Sequence, residues 1–72
     1  MRVNAVTIDR DQLKLDDFVQ AGDYMLSTSE LLYGTPARTG IKLIFVNDDL
    51  SLYRCQRDER PAAYVIVTNE FS

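Results

Sequence analysis

Apolar residues dominate two stretches in the second half of the chain. Residues 41–46 (IKLIFV) and 62–68 (AAYVIVT) are apolar at nearly every position, and residues 50–56 (LSLYRCQ) alternate more clearly between apolar and polar. Runs of this length, rich in β-branched and aromatic residues, predict strands. Short links at 47–49 and 57–61 separate the three runs, so the pattern predicts an antiparallel meander.

The first half of the chain is predicted to add one strand and one helix. Residues 2–8 (RVNAVTI) are rich in β-branched residues and predict a strand. Residues 10–21 predict an amphipathic helix, with Asp9 as its N-cap and Gly22 at its C-terminal end. The apolar stripe of that helix consists of Leu15, Phe18 and Val19. A strand through Leu13, in which apolar residues alternate with Lys14, is the alternative.

Residues 23–34 fit two patterns. They predict either a strand that follows a Gly-Asp turn, or a short helix that contains Leu31 and Leu32 and ends at Gly34. Residues 35–40 (TPARTG) predict a loop. The predicted fold is a small α+β domain over residues 1–72. It has an antiparallel meander of about four strands, one amphipathic helix and, in one interpretation, a second short helix; a five-stranded SH3-like β-barrel is the alternative fold.

The strands at 41–46 and 62–68 are apolar on both faces, which is more surface than one helix covers. The sheet then closes into a barrel, or residues 23–34 fold over the second face, or a second chain covers it. The face expected to meet a second chain carries Ile44, Val46, Val65 and Val67. The opposite face is bulkier and is expected to pack on the helix as core; it carries Leu43, Phe45, Tyr64 and Ile66. Contact of this opposite face with the second chain is the alternative. A symmetric homodimer is the favoured assembly. Tyr53, Asp16 and Asp17 complete the predicted partner-binding residues.

The residue types present limit the chemistry that the chain can perform. It has no histidine, which removes His-dependent nucleophiles and His-ligated zinc. Its single cysteine, Cys55, forms neither an internal disulfide nor a thiolate metal site. Asn47, Asp48 and Asp49 are interpreted as turn residues. We therefore expect no cofactor, no metal and no enzyme activity, and the lack of a signal peptide or membrane span favours a cytoplasmic location.

Net charge and length favour a binding role. The chain has 72 residues and a net charge of −3, a balance that supports solubility and argues against general nucleic-acid binding. We expect a non-enzymatic protein–protein interaction module that inhibits or regulates its partner. Short acidic chains without motifs are common among phage and mobile-element products. One alternative is a nucleic-acid-binding module that uses Arg54, Arg57 and Arg60. A second is an acidic mimic of nucleic acid along the predicted helix. A third is a carboxylate-dependent hydrolase, which would need a deep cleft that contains two acids.

Overall fold

The computed structural model describes residues 4–33 and 40–69. Within these residues the chain contains six strands and two short helices. In order they are β1 (Ala5–Asp9), α1 (Arg10–Leu13), β2 (Phe18–Ala21), β3 (Tyr24–Ser27), α2 (Thr28–Tyr33), β4 (Ile41–Val46), β5 (Leu50–Cys55) and β6 (Ala63–Thr68). This is a small α+β arrangement, as predicted. The predicted loop over 35–40 and the helix end at Gly34 lie almost wholly outside the described residues.

Four of the described strands form one sheet, here called the main sheet, in the order β1-β6-β5-β4. The antiparallel meander of β4, β5 and β6 is confirmed, with ends within one residue of those predicted. β1 pairs with β6 in the parallel direction, from Ala5 opposite Tyr64 to Asp9 opposite Thr68. Since β1 and β4 lie at its two edges, the sheet does not close, and the alternative of a β-barrel is wrong for the described chain.

The helix predicted over residues 10–21 is mostly wrong. Only Arg10–Leu13 is helical, and Phe18–Ala21 forms strand β2, which pairs with β3. Asp9 occupies the N-cap position, but its side chain makes no capping hydrogen bond. Gly22, with φ +57°, serves the turn between β2 and β3 instead of ending a helix. A hairpin buries alternate residues, so Val19 and Ala21 are buried while Phe18 is exposed.

Both patterns proposed for residues 23–34 are present, one after the other. β3 covers Tyr24–Ser27 and α2 follows at once over Thr28–Tyr33. Leu31 is buried and Leu32 is partly buried. The segment therefore supplies half of a hairpin and a helical turn, which pack together with α1 and β2.

The core lies between the main sheet and this covering layer of helices and β2–β3 hairpin. The layer contributes the buried residues Leu13, Val19, Ala21, Tyr24, Leu26 and Leu31. Two tyrosines hold the covering layer in place through hydrogen bonds. The Tyr53 hydroxyl donates to the Leu31 carbonyl at 3.0 Å, and the Tyr24 hydroxyl donates to the Pro61 carbonyl at 3.3 Å. Both bonds join residues distant in sequence, so they fix the layer on one side of the sheet.

The turn between β4 and β5 is held by Asn47. Its side-chain oxygen accepts hydrogen bonds from the backbone N–H groups of Asp49, at 2.8 Å, and Leu50, at 2.9 Å. Asn is favoured in turns because its side chain can satisfy nearby backbone groups in this way. The interpretation of Asn47, Asp48 and Asp49 as turn residues is confirmed.

Candidate functional site

The two faces of the main sheet have different environments. The inner face packs against the covering layer, and its residues in β5 and β6 are buried: Ser51, Tyr53, Cys55, Ala63, Val65 and Val67. The outer face points away from that layer. Strand register aligns its residues in two central rows. One row runs Ala5, Tyr64, Arg54, Lys42, and the other runs Thr7, Ile66, Leu52, Phe45.

Within β6 the two predicted faces are reversed, whereas in β4 Leu43 packs against the core and Ile44 is exposed, as predicted. Val65 and Val67, expected in contact with a second chain, are fully buried in the core of this chain, as is Tyr53. Tyr64 and Ile66, expected in the core, lie on the outer face and are only partly buried. The physical reason is that Tyr53 fills the centre of the inner face beside Val65, so smaller residues complete the packing there.

A β-bulge in β4 changes which of its residues face outward. Leu43 pairs with Tyr53, but Phe45 pairs with Leu52, so Ile44 is an extra residue between them. A bulge shifts the alternation of side chains by one residue. As a result Phe45 follows Leu52 onto the outer face, where it is 49% exposed, and Ile44 is 48% exposed. Val46 is exposed at the end of the strand.

Two basic residues lie side by side at one end of this apolar surface. Lys42 is directly opposite Arg54, which is in turn opposite Tyr64. We call Lys42 and Arg54 the basic pair. They line a shallow depression of about 180 Å³ together with Gly40, Ile44 and Gln56. Arg54 donates a hydrogen bond to the side-chain oxygen of Gln56, which orients its guanidinium along this end of the strand.

Two acidic residues occupy the opposite end of the same β4–β5 hairpin. Asp48 and Asp49, here called the acidic tip, are exposed in the turn. Asn69 holds this turn against the end of β6. Its side-chain N–H donates to the Asp48 carbonyl at 2.6 Å, and its backbone N–H donates to the Asp49 carbonyl at 2.9 Å. Because these bonds use backbone oxygens of the tip, they do not occupy its carboxylates.

The structure does not bring Arg54, Arg57 and Arg60 into one row. Arg54 lies on the outer face, whereas the Arg57 guanidinium lies 5.8 Å from the ring centre of Tyr24 in the covering layer. Arg60 belongs to the turn before β6, where its N–H bonds to the Arg57 carbonyl. The basic residue that neighbours Arg54 is Lys42, which was not among the residues predicted from the sequence. Counting outward from the turn, where Val46 pairs with Ser51, would place Leu43 opposite Arg54. The bulge at Ile44 shifts the pairing by one residue and brings Lys42 there instead, so turn position alone does not predict this neighbour.

The predicted acidic helix is also absent from the described residues. Asp16 and Asp17 are exposed in the link between α1 and β2, and Asp23 lies in the next turn. These three acids therefore do not share a helix face. The arrangement that would imitate a nucleic-acid backbone is absent from these residues. A role for Asp16 and Asp17 in partner binding stays a prediction.

Among the residues that the structure describes, groups suited to metal or nucleophilic chemistry do not form a second candidate site. In residues 4–33 and 40–69, the Cys, Asp and Glu side chains nowhere form a group of three placed to hold a metal ion. Cys55 is buried in the inner face. Burial also raises the pKa of the neighbouring Tyr53 phenol, an effect that the charge of Arg10 opposes.

Comparisons of the chain with protein-family models, with curated proteins and with solved structures found no match. In the part of the chain that the structure describes, no helix has the length and apolar character needed to cross a membrane.

Proposed function

We propose that this chain is a non-enzymatic protein–protein interaction module that binds through the outer face of its main sheet. The observation that carries the proposal is a continuous apolar surface across β4, β5 and β6, beside the basic pair. Its apolar members are Ile44, Phe45, Leu50, Leu52 and Ile66. Connected apolar surface of this kind, edged by polar residues, is typical of binding sites on proteins.

The exposed part of this surface is large enough to contribute to binding. Ile44 and Phe45 each keep about half of their side-chain surface exposed. Full burial of such a side chain is worth about 1.5–3 kcal/mol, so covering the exposed halves of both contributes roughly 1.5–3 kcal/mol in total. That contribution adds to those of Leu52, Ile66 and the basic pair. A partner that covers the face gains from all of these residues together.

A matched pair of variants tests the surface. Phe45→Asp places a charge on the outer face, and Phe18→Asp makes the same change on the exposed side of the β2–β3 hairpin, where Phe18 is 60% exposed. Both variants are expected to fold, since both side chains are exposed. Tagged wild-type chain and both variants are used to capture proteins from a lysate of the source cell, and the bound proteins are identified by mass.

The proposal expects a protein that wild type and Phe18→Asp both retain and that Phe45→Asp loses. An inhibitor or regulator would in addition change the activity of the retained protein. A protein lost with Phe18→Asp but kept with Phe45→Asp would place the binding surface on the covering layer and overturn the proposal.

A second candidate function is binding of single-stranded nucleic acid, and one observation favours it. The basic pair lies in the same row as Tyr64. β-Sheets can bind single-stranded nucleic acid through such combinations of basic side chains and aromatic rings. The net charge of −3 opposes it. Retention on immobilised single-stranded DNA or RNA that weakens with salt, and that Lys42→Gln with Arg54→Gln abolishes, would favour this function over protein binding.

A further inference from the structure

The β4–β5 hairpin carries opposite charges at its two ends. Arg54 lies two residues from Leu52 along β5, and Asp49 lies three residues from Leu52 in the other direction. At about 3.3 Å per residue, the basic pair lies roughly 7 Å from the Phe45–Leu52 row, and the acidic tip lies roughly 10 Å from it on the other side. The apolar row is thus near the midpoint between the basic pair and the acidic tip.

This arrangement is self-complementary under one particular rotation. A two-fold axis that lies over the outer face, along the Phe45–Leu52 row, reverses the strand direction of the second copy. The apolar row then meets itself, while the basic pair of each copy lies over the acidic tip of the other. An isologous contact of this type closes as a dimer. A two-fold axis parallel to the strands would instead place the basic pair of one copy over the basic pair of the other.

We propose that a second copy of this chain occupies the outer face in this reversed orientation, with the acidic tip of each copy against the depression lined by the basic pair of the other. The inference rests on the proposed function, because it names the partner of the same surface. It differs from a general tendency to dimerise, since it fixes which charged residues meet. The long side chains of Lys42 and Arg54 suit this role, because packed sheets lie about 10 Å apart.

The size of the face sets the concentrations that a test must reach. The strands of the main sheet have five or six residues. With strands about 4.8 Å apart, the outer face measures roughly 15 by 20 Å. Interfaces of this size lie at the small end of specific contacts. We therefore expect a weak dimer, measured by sedimentation equilibrium from about 10 μM to about 1 mM.

The decisive experiment reverses the charges on one end at a time. One variant carries Lys42→Glu and Arg54→Glu, and the other carries Asp48→Lys and Asp49→Lys. Each variant alone places like charges together in both halves of the contact, which should raise its dimer dissociation constant roughly a hundred-fold. An equimolar mixture restores opposite charges in both halves, so a species of two chains should reappear. Higher salt should weaken that species.

A matched control separates this geometry from general attraction between oppositely charged chains. The variant Asp11→Lys with Asp23→Lys, altered at two exposed positions in the covering layer, has the same net charge as the variant altered at the acidic tip. Mixed with fluorescently labelled Lys42→Glu/Arg54→Glu chain, it should leave the labelled chain monomeric. Capture of the labelled chain to the same extent by both Lys variants would overturn the inference.

Two further outcomes distinguish failure of the inference from failure of the proposed function. A wild-type chain that stays monomeric at about 1 mM overturns the second copy as partner. If Phe45→Asp still loses a captured protein in that case, the proposed function stands with a different partner. If Phe45→Asp changes neither self-association nor capture, both proposals fail.

Discussion

The hydroxyl group of Tyr53 donates a 3.0 Å hydrogen bond to the backbone carbonyl of Leu31, inside the core. The bond joins the central strand β5 to the helix α2, and both residues are almost completely buried. A carbonyl near the end of so short a helix has few partners within the helix itself. Tyr53 therefore both fills the middle of the inner face and satisfies a buried polar group of the covering layer.

Replacing Tyr53 with Phe should lower the free energy of unfolding by about 1–2 kcal/mol, because the Leu31 carbonyl loses its partner while most of the ring packing is kept. Urea denaturation followed by circular dichroism measures this. Tyr33→Phe is the matched control, since Tyr33 is 76% exposed and should change stability little. Equal stability of the two variants would contradict the importance of the Tyr53 bond.

Stability should also fall at alkaline pH, for a reason that involves the same phenol. Burial raises the pKa of Tyr53 above its ordinary value of 10.0, and the positive charge of Arg10 only partly opposes this. Above about pH 10 the unfolded chain releases the proton while the folded chain retains it, so deprotonation favours unfolding. The stabilisation is complete below that pH and is lost as the pH rises through the folded-state value. Urea midpoints from about pH 8 to about pH 11 should fall more steeply for wild type than for Tyr53→Phe.

Gly40 precedes β4 in a conformation that only glycine adopts easily. Its φ is +90°, and a Cβ added there would lie 2.7 Å from the Gln56 carbonyl oxygen and against the Arg57 side chain. Gly40→Ala should therefore destabilise the protein by about 2 kcal/mol or more, from backbone strain and the clash. Gly22→Ala, with φ +57° and tight contacts of 3.3 Å to the Asn4 side chain, which must move by a few tenths of an ångström, should cost about 1 kcal/mol. Thermal unfolding of both variants gives the comparison, and a smaller effect at Gly40 would contradict it.

Local patterns predicted the fold where the chain pairs with its neighbours in sequence. The meander of β4, β5 and β6 follows from apolar runs and from the turn at Asn47, all within one segment. The helix over 10–21 failed because the helical spacing of Leu15 and Phe18 competed with the hairpin of β2 and β3. Leu15 is exposed in the link before that hairpin, and Phe18 is exposed at the start of β2. The parallel pairing of β1 with β6 joins the two ends of the chain, and no local pattern specifies it.

The sequence predicted the type of surface that forms the candidate site, but not the face of the sheet on which it lies. An uncovered apolar sheet face was expected, yet Val65 and Ile66 are similar in character, so alternation alone could not decide which side the rest of the chain covers. The bulge at Ile44 then moved Phe45 to the side of Leu52. The Tyr53 hydroxyl can be buried on the inner face because it donates a hydrogen bond to the Leu31 carbonyl. This contact depends on how α2 packs on the sheet, so the sequence pattern could not show it.

Adjacent residues of β6 provide the sharpest test of which face is the core. Val65 is fully buried on the inner face, beside Tyr53 and Val6, whereas Ile66 lies on the outer face between Leu52 and Thr7. Val65→Asp would bury a charge with no partner, which should cost more than about 4 kcal/mol and leave the chain unfolded. Ile66→Asp can keep its charge in water, so the chain should stay folded.

Ile66→Asp should nevertheless weaken self-association, because the proposed dimer covers that position. Circular dichroism reports folding, and sedimentation equilibrium reports the mass of the folded species. A Val65→Asp chain that is folded and monomeric would instead support the face first inferred from sequence, and an unfolded Ile66→Asp chain would place the core on the outer side. The two variants differ by one position along a strand, so their opposite behaviour would follow from the side of the sheet on which each charge lies.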